Sequence, residues 1–264
     1  AQHGTTDVSS RENNVGGFAS WTHRLNPDYS LETTLSRSVR TADATERYVA
    51  KKTPDSDWIG NPQINPEKHH QIEAVLVRHG DRLNWSLTGW YNRVNDYILR
   101  KTVADVTGYN NVDAELYGAE AEMSYPLQSN LIFSAALAWV AGSNLDDGSD
   151  LSRISPLELT TALNYQQGQW KAGAEWKLVA AQNDVCLSSS SCGGQDVRQT
   201  PGYGIVNLNA EYAAQNGITV TAGVDNLFDK EYSLHESRDD AFDAAPYQVT
   251  EPGQSVWVKF NSRF

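Results

Sequence analysis

A chain of 264 residues with a formal net charge of −12 and 39% hydrophobic residues has the size of one or two ordinary domains. Its acidity argues against a nucleic-acid binder, which needs a basic face. No segment approaches the roughly 18 apolar residues of a membrane-spanning helix. The opening "AQHGTTDVSS" has neither a basic start nor an apolar core, so it does not read as a signal peptide. Two classes remain: a soluble acidic β-protein, and a membrane β-barrel, whose alternating strands escape hydropathy.

Taken in chain order, the pattern predicts about eleven strands. The first six lie near Gly17–Leu25, Tyr29–Arg40, His70–His79, Leu83–Ile98, Ala114–Tyr125 and Leu131–Val140. The rest lie near Leu157–Tyr165, Trp170–Ala180, Ile205–Tyr212, Ile218–Phe228 and Val256–Phe264. Side chains on a strand alternate between faces. In "WKAGAEWKLVA", Trp170, Ala172, Ala174, Trp176 and Leu178 share one face, and Lys171, Glu175 and Lys177 the other. The last strand sets Val256, Val258, Phe260 and Phe264 against Trp257, Lys259, Asn261 and Arg263. An apolar face opposite a charged one suits lipid on one side and a wet lumen on the other.

Connections and aromatics decide between the two classes. Short links at 26–28, 80–81, 126–130, 166–169 and 214–217 alternate with long polar ones at 41–69, 99–113, 141–156, 181–204 and 229–255. Structureless loops of the longer kind are uncommon in compact domains. Sorting by length is instead the pattern of an outer-membrane barrel, with short periplasmic turns and long extracellular loops. The 8 Trp and 12 Tyr against 6 Phe agree, because Trp and Tyr favour the water–lipid boundary. The expectation is an all-β, antiparallel transmembrane β-barrel in the bacterial outer membrane, with lipid and lipopolysaccharide around it. Phe264 is expected at the periplasmic rim.

An odd strand count is unusual for a bacterial single-chain barrel. The stretch "AGVDNLFDKEYSLHESR" at 222–238 resembles the penultimate-strand motif of TonB-dependent outer-membrane receptors. "SRSVRTADATERYVAKK" at 36–52, "WIGNPQINPEKHHQ" at 58–71, "YNRVNDYILRK" at 91–101 and "GYNNVDAELYGAEAEMSY" at 108–125 resemble the copper receptors of that family. The resemblance implies a 22-stranded barrel around an N-terminal plug. Residues 1–264 would then be a C-terminal part of the barrel domain, with plug, TonB-contacting segment and first half of the wall elsewhere. The implied partners are that N-terminal half, as another chain, and TonB acting through its plug. The implied function is active import of copper, with a ferric-siderophore receptor and a passive porin as alternatives.

Copper prefers thiolate, thioether and imidazole ligands. Met123 falls on the lipid-facing side of its strand, adjacent His69 and His70 must point to opposite faces, and His235 lies in the last long loop. No metal ligand is assigned, and no cofactor is expected. Cys186 and Cys192 flank "LSSSS"; in an oxidising compartment a disulfide is favoured over a metal site. Carboxylates in "DDAFDAA" at 239–245 would attract cations or simply be solvated. Glu120, Glu122, Lys171, Glu175 and Lys259 are expected in the lumen. No nucleophile–base pair or general-acid dyad stands out, so an enzyme is not expected.

Overall fold

The structure, a computed structural model, describes residues 4, 8–52, 57–188, 190, 192–214, 217–237 and 248–262. The expectations for Phe264 and for 239–245 fall outside the described residues. Strands β1 (Gly17–Arg24) and β2 (Tyr29–Arg40) come first, then a short helix α1 (Ala44–Tyr48) and two three-residue strands, β3 (Ala50–Lys52) and β4 (Asp57–Ile59). The wall continues with β5 (Glu67–Arg78), β6 (Asn84–Val103), β7 (Val106–Gln128), β8 (Leu131–Asn144) and β9 (Glu158–Gln167). It ends with β10 (Trp170–Val179), β11 (Tyr203–Ala213), β12 (Ile218–Asp225) and β13 (Ser255–Ser262).

Eleven of these strands follow one another as neighbours in chain order, β1-β2-β5-β6-β7-β8-β9-β10-β11-β12-β13. The described strands number thirteen rather than eleven because β3 and β4 form an extra hairpin in the segment read as a polar link at 41–69. The link read at 99–113 is also strand. There β6 and β7 pair from Tyr97↔Val112 up to Val103↔Val106. Ala104 and Asp105 close this hairpin with φ of 49° and 60°. A two-residue turn with both central residues at positive φ matches strand twist, and normally carries Asn-Gly or Asp-Gly.

Register carries the two-faced pattern across the wall. One outward row reads Leu76, Leu87, Ala121, Leu137, Leu159 and Leu178. Further out, Leu35, Ile72, Tyr91 and Tyr117 line up. Many of these outward apolar side chains are exposed, Ile72, Leu87, Trp139, Trp176 and Phe260 among them. Apolar exposure on this scale marks a surface covered by something other than water. The row beyond Tyr91 and Tyr117 is Arg37, His70, Arg93, Glu115 and Ser143. Charge at those positions ends the apolar belt, so the parts of β5, β6 and β7 beyond it stand outside the membrane.

The inward rows are polar. One runs Glu32, Val75, Thr88, Glu120, Ala138, Glu158. Another runs Gln166, Lys171, Glu211, Thr221, Lys259. Trp90 is an aromatic exception on this face, and Gly118 beside it explains how it fits. A Cβ at Gly118 would lie 2.7 Å from the Trp90 ring and 2.7 Å from the Trp139 carbonyl oxygen.

The long connections fold onto the wall. Asp43 caps α1 by accepting from Glu46 N, while the Glu46 carboxylate accepts from Asp43 N, a reciprocal capping box. β4 lies parallel to the start of β7, with Asp57↔Val106 and Trp58↔Thr107 in register. Three small cores result. Ala42, Ile64, Ile98 and Tyr109 gather with Val49 and Trp58. Leu151 packs on Val94 and Ala114. Tyr232 and Leu234 pack on Val179, Tyr203 and Ile205. In the last two cases loop residues cover inward-facing positions at the outer end of the wall.

Candidate functional site

The inner face and the loops above it form the surface that a solute would meet. Register puts Glu120, Glu122, Lys171, Glu175 and Lys259 all on this face. Glu120 lines a depression with Gln71, Glu73, Thr88, Trp90, Asn92 and Leu116. Beside the turns, Lys171 Nζ lies 3.0 Å from Glu211 Oε1, and level with Glu122, Lys177 Nζ lies 2.8 Å from Glu158 Oε2. Glu175 accepts from Asn207 Nδ2 at 3.0 Å. Lys171 and Lys177 are thus each tied to a neighbouring carboxylate, while Glu73, Glu120 and Glu122 form no ion pair among the described residues and leave that part of the wall acidic.

A second cluster sits at the outer end of β2 and β5. Arg40 grips Glu67 with two bonds, Nε to Oε2 and Nη2 to Oε1, both 2.8 Å. Its two terminal nitrogens also donate to Glu46 of α1 at 3.1 Å. Glu67 Oε1 also accepts from Ile98 N at 2.9 Å, across the β6 bulge between Val94 and Tyr97. Glu67 is 3% exposed. Burial alone would raise its carboxyl, but Arg40, His69 and the Ile98 amide hold it down at about 2. One buried carboxylate therefore ties the helix, the wall and the tall hairpin together.

The two adjacent histidines part as strand geometry requires. His69 lies in the inward register, paired with Ser38 and Val94, and His70 in the outward row with Arg37 and Arg93. Both His69 ring nitrogens are engaged: Nε2 is 3.1 Å from Glu67 Oε2 and Nδ1 is 3.1 Å from Asn92 Nδ2. Met123 is outward, between Trp85 and Ala135. His235 is elsewhere, buried in the last loop. Among the described residues no group of three or more His, Cys, Asp or Glu is arranged to hold a metal ion.

A third cluster joins three loops. Cys186 and Cys192 are linked, with Cα atoms 5.7 Å apart. Asp196 takes the Cys186 amide at 2.7 Å and the Arg153 amide at 2.8 Å on its two carboxylate oxygens. His235 Nε2 is 3.4 Å from Asp196, and His235 Nδ1 is 2.8 Å from Thr200 Oγ1. Gln248 donates to the His235 carbonyl at 2.9 Å. Sequence reading missed the Asp196–His235 part of this knot and the Arg40–Glu67 pair, since their members are far apart in the chain. Substituting both cysteines by Ser should leave the wall folded and raise protease cleavage between residues 181 and 202. Closing so short a loop contributes about 2 kcal/mol in the chain-entropy model. Cleavage equal to the native protein's would show that the link carries no constraint there.

An antiparallel wall with an exposed apolar belt, a charged inner face, tight turns at one end and folded loops at the other defines an outer-membrane β-barrel. Residues 2–227 match the family model described as TonB dependent receptor-like, beta-barrel. The chain belongs to the TonB-dependent receptor family, and it is an outer-membrane protein. Among solved structures it resembles the copper transporter OprC at 33% identity and a TM-score of 0.85. That match covers 94% of this chain and 40% of OprC. A mutant of the ferric enterobactin receptor PfeA from Pseudomonas aeruginosa matches at 20% identity and TM-score 0.78, over 94% of this chain and 40% of that one. The siderophore receptor PirA from Acinetobacter baumannii matches at 16% and 0.76, over 95% and 41%. At such identities the last two show the fold alone. The chain spans about 40% of the length of these structures.

Proposed function

We propose that this chain is the C-terminal part of the barrel of a TonB-dependent active-transport receptor whose cargo is copper. The observation that carries the copper reading is the 33% identity to the copper transporter OprC over 94% of the chain. The inner wall supports import of a cation: Glu73, Glu120 and Glu122 project inward below the loops, and focused negative potential raises local cation concentration.

That remainder is the second part of the proposal. Among the described residues β1 and β13 each have one neighbour in the sheet, leaving an open edge on either side. Unpaired backbone groups facing lipid cost several kcal/mol each. The partner is an N-terminal half of the same receptor, carrying the plug and the other strands, which pair with both edges; TonB acts through that plug. The Cys186–Cys192 link serves as a staple of one outer loop.

The test is accumulation of radioactive copper by a copper-starved strain expressing the complete receptor, with and without functional TonB. Uptake should depend on the receptor and fall to background when TonB is disrupted. Uptake of a ferric chelate but not copper would make it a siderophore receptor. Copper entry indifferent to TonB would make it a passive pore.

A further inference from the structure

We infer that the turn end of the wall, where β2, β5, β6 and β7 meet, binds the headgroup of an anionic phospholipid of the inner leaflet at Arg78 and Arg82. Arg78 stands in the outward row with Tyr29 and Trp85 on either side of it. Its Cζ lies 5.9 Å from the centre of the Tyr29 ring, and Tyr29 meets Trp85 edge-on at 6.0 Å. Arg82, in the turn that follows, lies 5.2 Å over Tyr125, another outward residue, at the end of β7. Two guanidinium groups on aromatic platforms therefore sit at the border of the apolar belt. Tyr and Trp favour this depth because their rings are half apolar, and the cation–π contact holds each guanidinium in place.

The surrounding turn keeps these groups oriented. Arg78 Nη1 donates to Leu83 O at 3.2 Å and Arg82 Nη2 to Pro126 O at 3.3 Å. Gly80 leaves the room this needs, since a Cβ there would lie 2.9 Å from Leu83 O and 3.2 Å from the Arg78 guanidinium. Each arginine thus spends one terminal nitrogen on the backbone and keeps donors over.

Three observations point to an anion. Neither arginine forms an ion pair among the described residues, although Asp28 and Asp81 stand in the same turns. At the opposite end of the wall Arg40, Lys68 and Arg93 each hold a carboxylate. Arg78 Nε is buried and has no hydrogen-bond partner, a state that costs free energy unless a group fills it. A guanidinium is matched by geometry to a phosphate, which accepts two parallel N–H bonds. Below the arginines the outward positions are Leu76, Leu87 and Ala121, a surface for acyl chains. Phosphate and apolar chains together describe a phospholipid. A net negative headgroup is favoured, because a choline cation would be set beside two unpaired guanidiniums.

Native mass spectrometry of the complete receptor in mild detergent tests this with phosphatidylglycerol, phosphatidylcholine and diacylglycerol, each added at the same concentration. The receptor should retain phosphatidylglycerol several-fold better than the other two. The preference should vanish in the double variant R78Q/R82Q and fall only in part in R78K/R82K, which keeps both charges but loses the paired N–H fork. Arg82 lies in a turn outside the strands, so R82Q alone provides a variant with an undisturbed ladder, in which retention should fall. Equal retention of phosphatidylglycerol and phosphatidylcholine by the native receptor would overturn the inference. So would unchanged retention in the glutamine variants, or displacement of the lipid by inorganic phosphate, which would make this a site for free anions.

Discussion

Leu137→Arg should destabilise the assembled barrel by about 2–4 kcal/mol, the cost of a basic side chain on the lipid face near mid-membrane. Leu137 lies in the outward row between Ala121 and Leu159, well away from the charged row that ends the belt. Its chain neighbour Ala138 faces inward, paired with Glu120 and Glu158. Arg at 138 should therefore be tolerated, since it would stand between two carboxylates in a wet lumen. Denaturant unfolding of the complete receptor in lipid vesicles measures both. A larger loss at 138 than at 137 would mean that the two faces have been assigned the wrong way round.

Glu67→Gln should loosen the outer end of the wall, and it should also abolish a specific pH dependence. The native carboxylate receives Arg40, His69 and the Ile98 amide while nearly excluded from water. Hydrogen bonds to charged groups contribute about 1.5–3 kcal/mol each when one partner is removed from a buried site. The carboxyl is held at about 2 against an ordinary 4.5. A lowered value means that ionised Glu67 stabilises the folded rim at any pH above about 4.5, and that this support drains away as pH falls from 4.5 toward 2. Hydrogen exchange at Ile98 and along the upper hairpin, corrected for intrinsic rates, should show protection constant above that window and lost within it. In the glutamine variant, protection should start lower and stay flat through the same window. Protection that falls equally in both proteins would assign the effect to other carboxylates.

The wall was legible in the sequence because lipid and water impose opposite demands on successive residues. Strands such as Trp170–Val179 alternate cleanly and were bounded to within a residue. Legibility ended where that contrast ends. Beyond the charged row lipid no longer sets one face apart, and loop residues pack on Ile98 and Tyr109, so "RKTVADVTGYN" shows no period and reads as a loop. Its turn carries Ala104 and Asp105 at positive φ without a glycine to announce it. The short helix did leave a signal, Asp43 followed three residues later by Glu46. The inward charges Glu120 and Lys171 followed from parity alone. The pairing of Arg40 with Glu67 and of Asp196 with His235 depends on which loops the wall brings together, and nothing local encodes that.

The tall hairpin has a consequence for whatever meets the cell from outside. Past the end of β5, β6 and β7 stay paired for seven more positions, from Tyr97 to Val103, so that they stand about 20 Å above the neighbouring strand at the usual rise per residue. β4 braces the tip through Asp57 and Trp58, and Glu67 anchors the base at Ile98. A floppy loop of that length would lose conformational freedom each time something gripped it. This one is already ordered, so an antibody or a phage tail that recognises it meets a fixed shape and spends little of its binding energy on freezing the backbone. The same stiffness transmits a sideways pull at the tip directly into the ladder of β5, β6 and β7, making the hairpin a rigid handle on the bacterial surface.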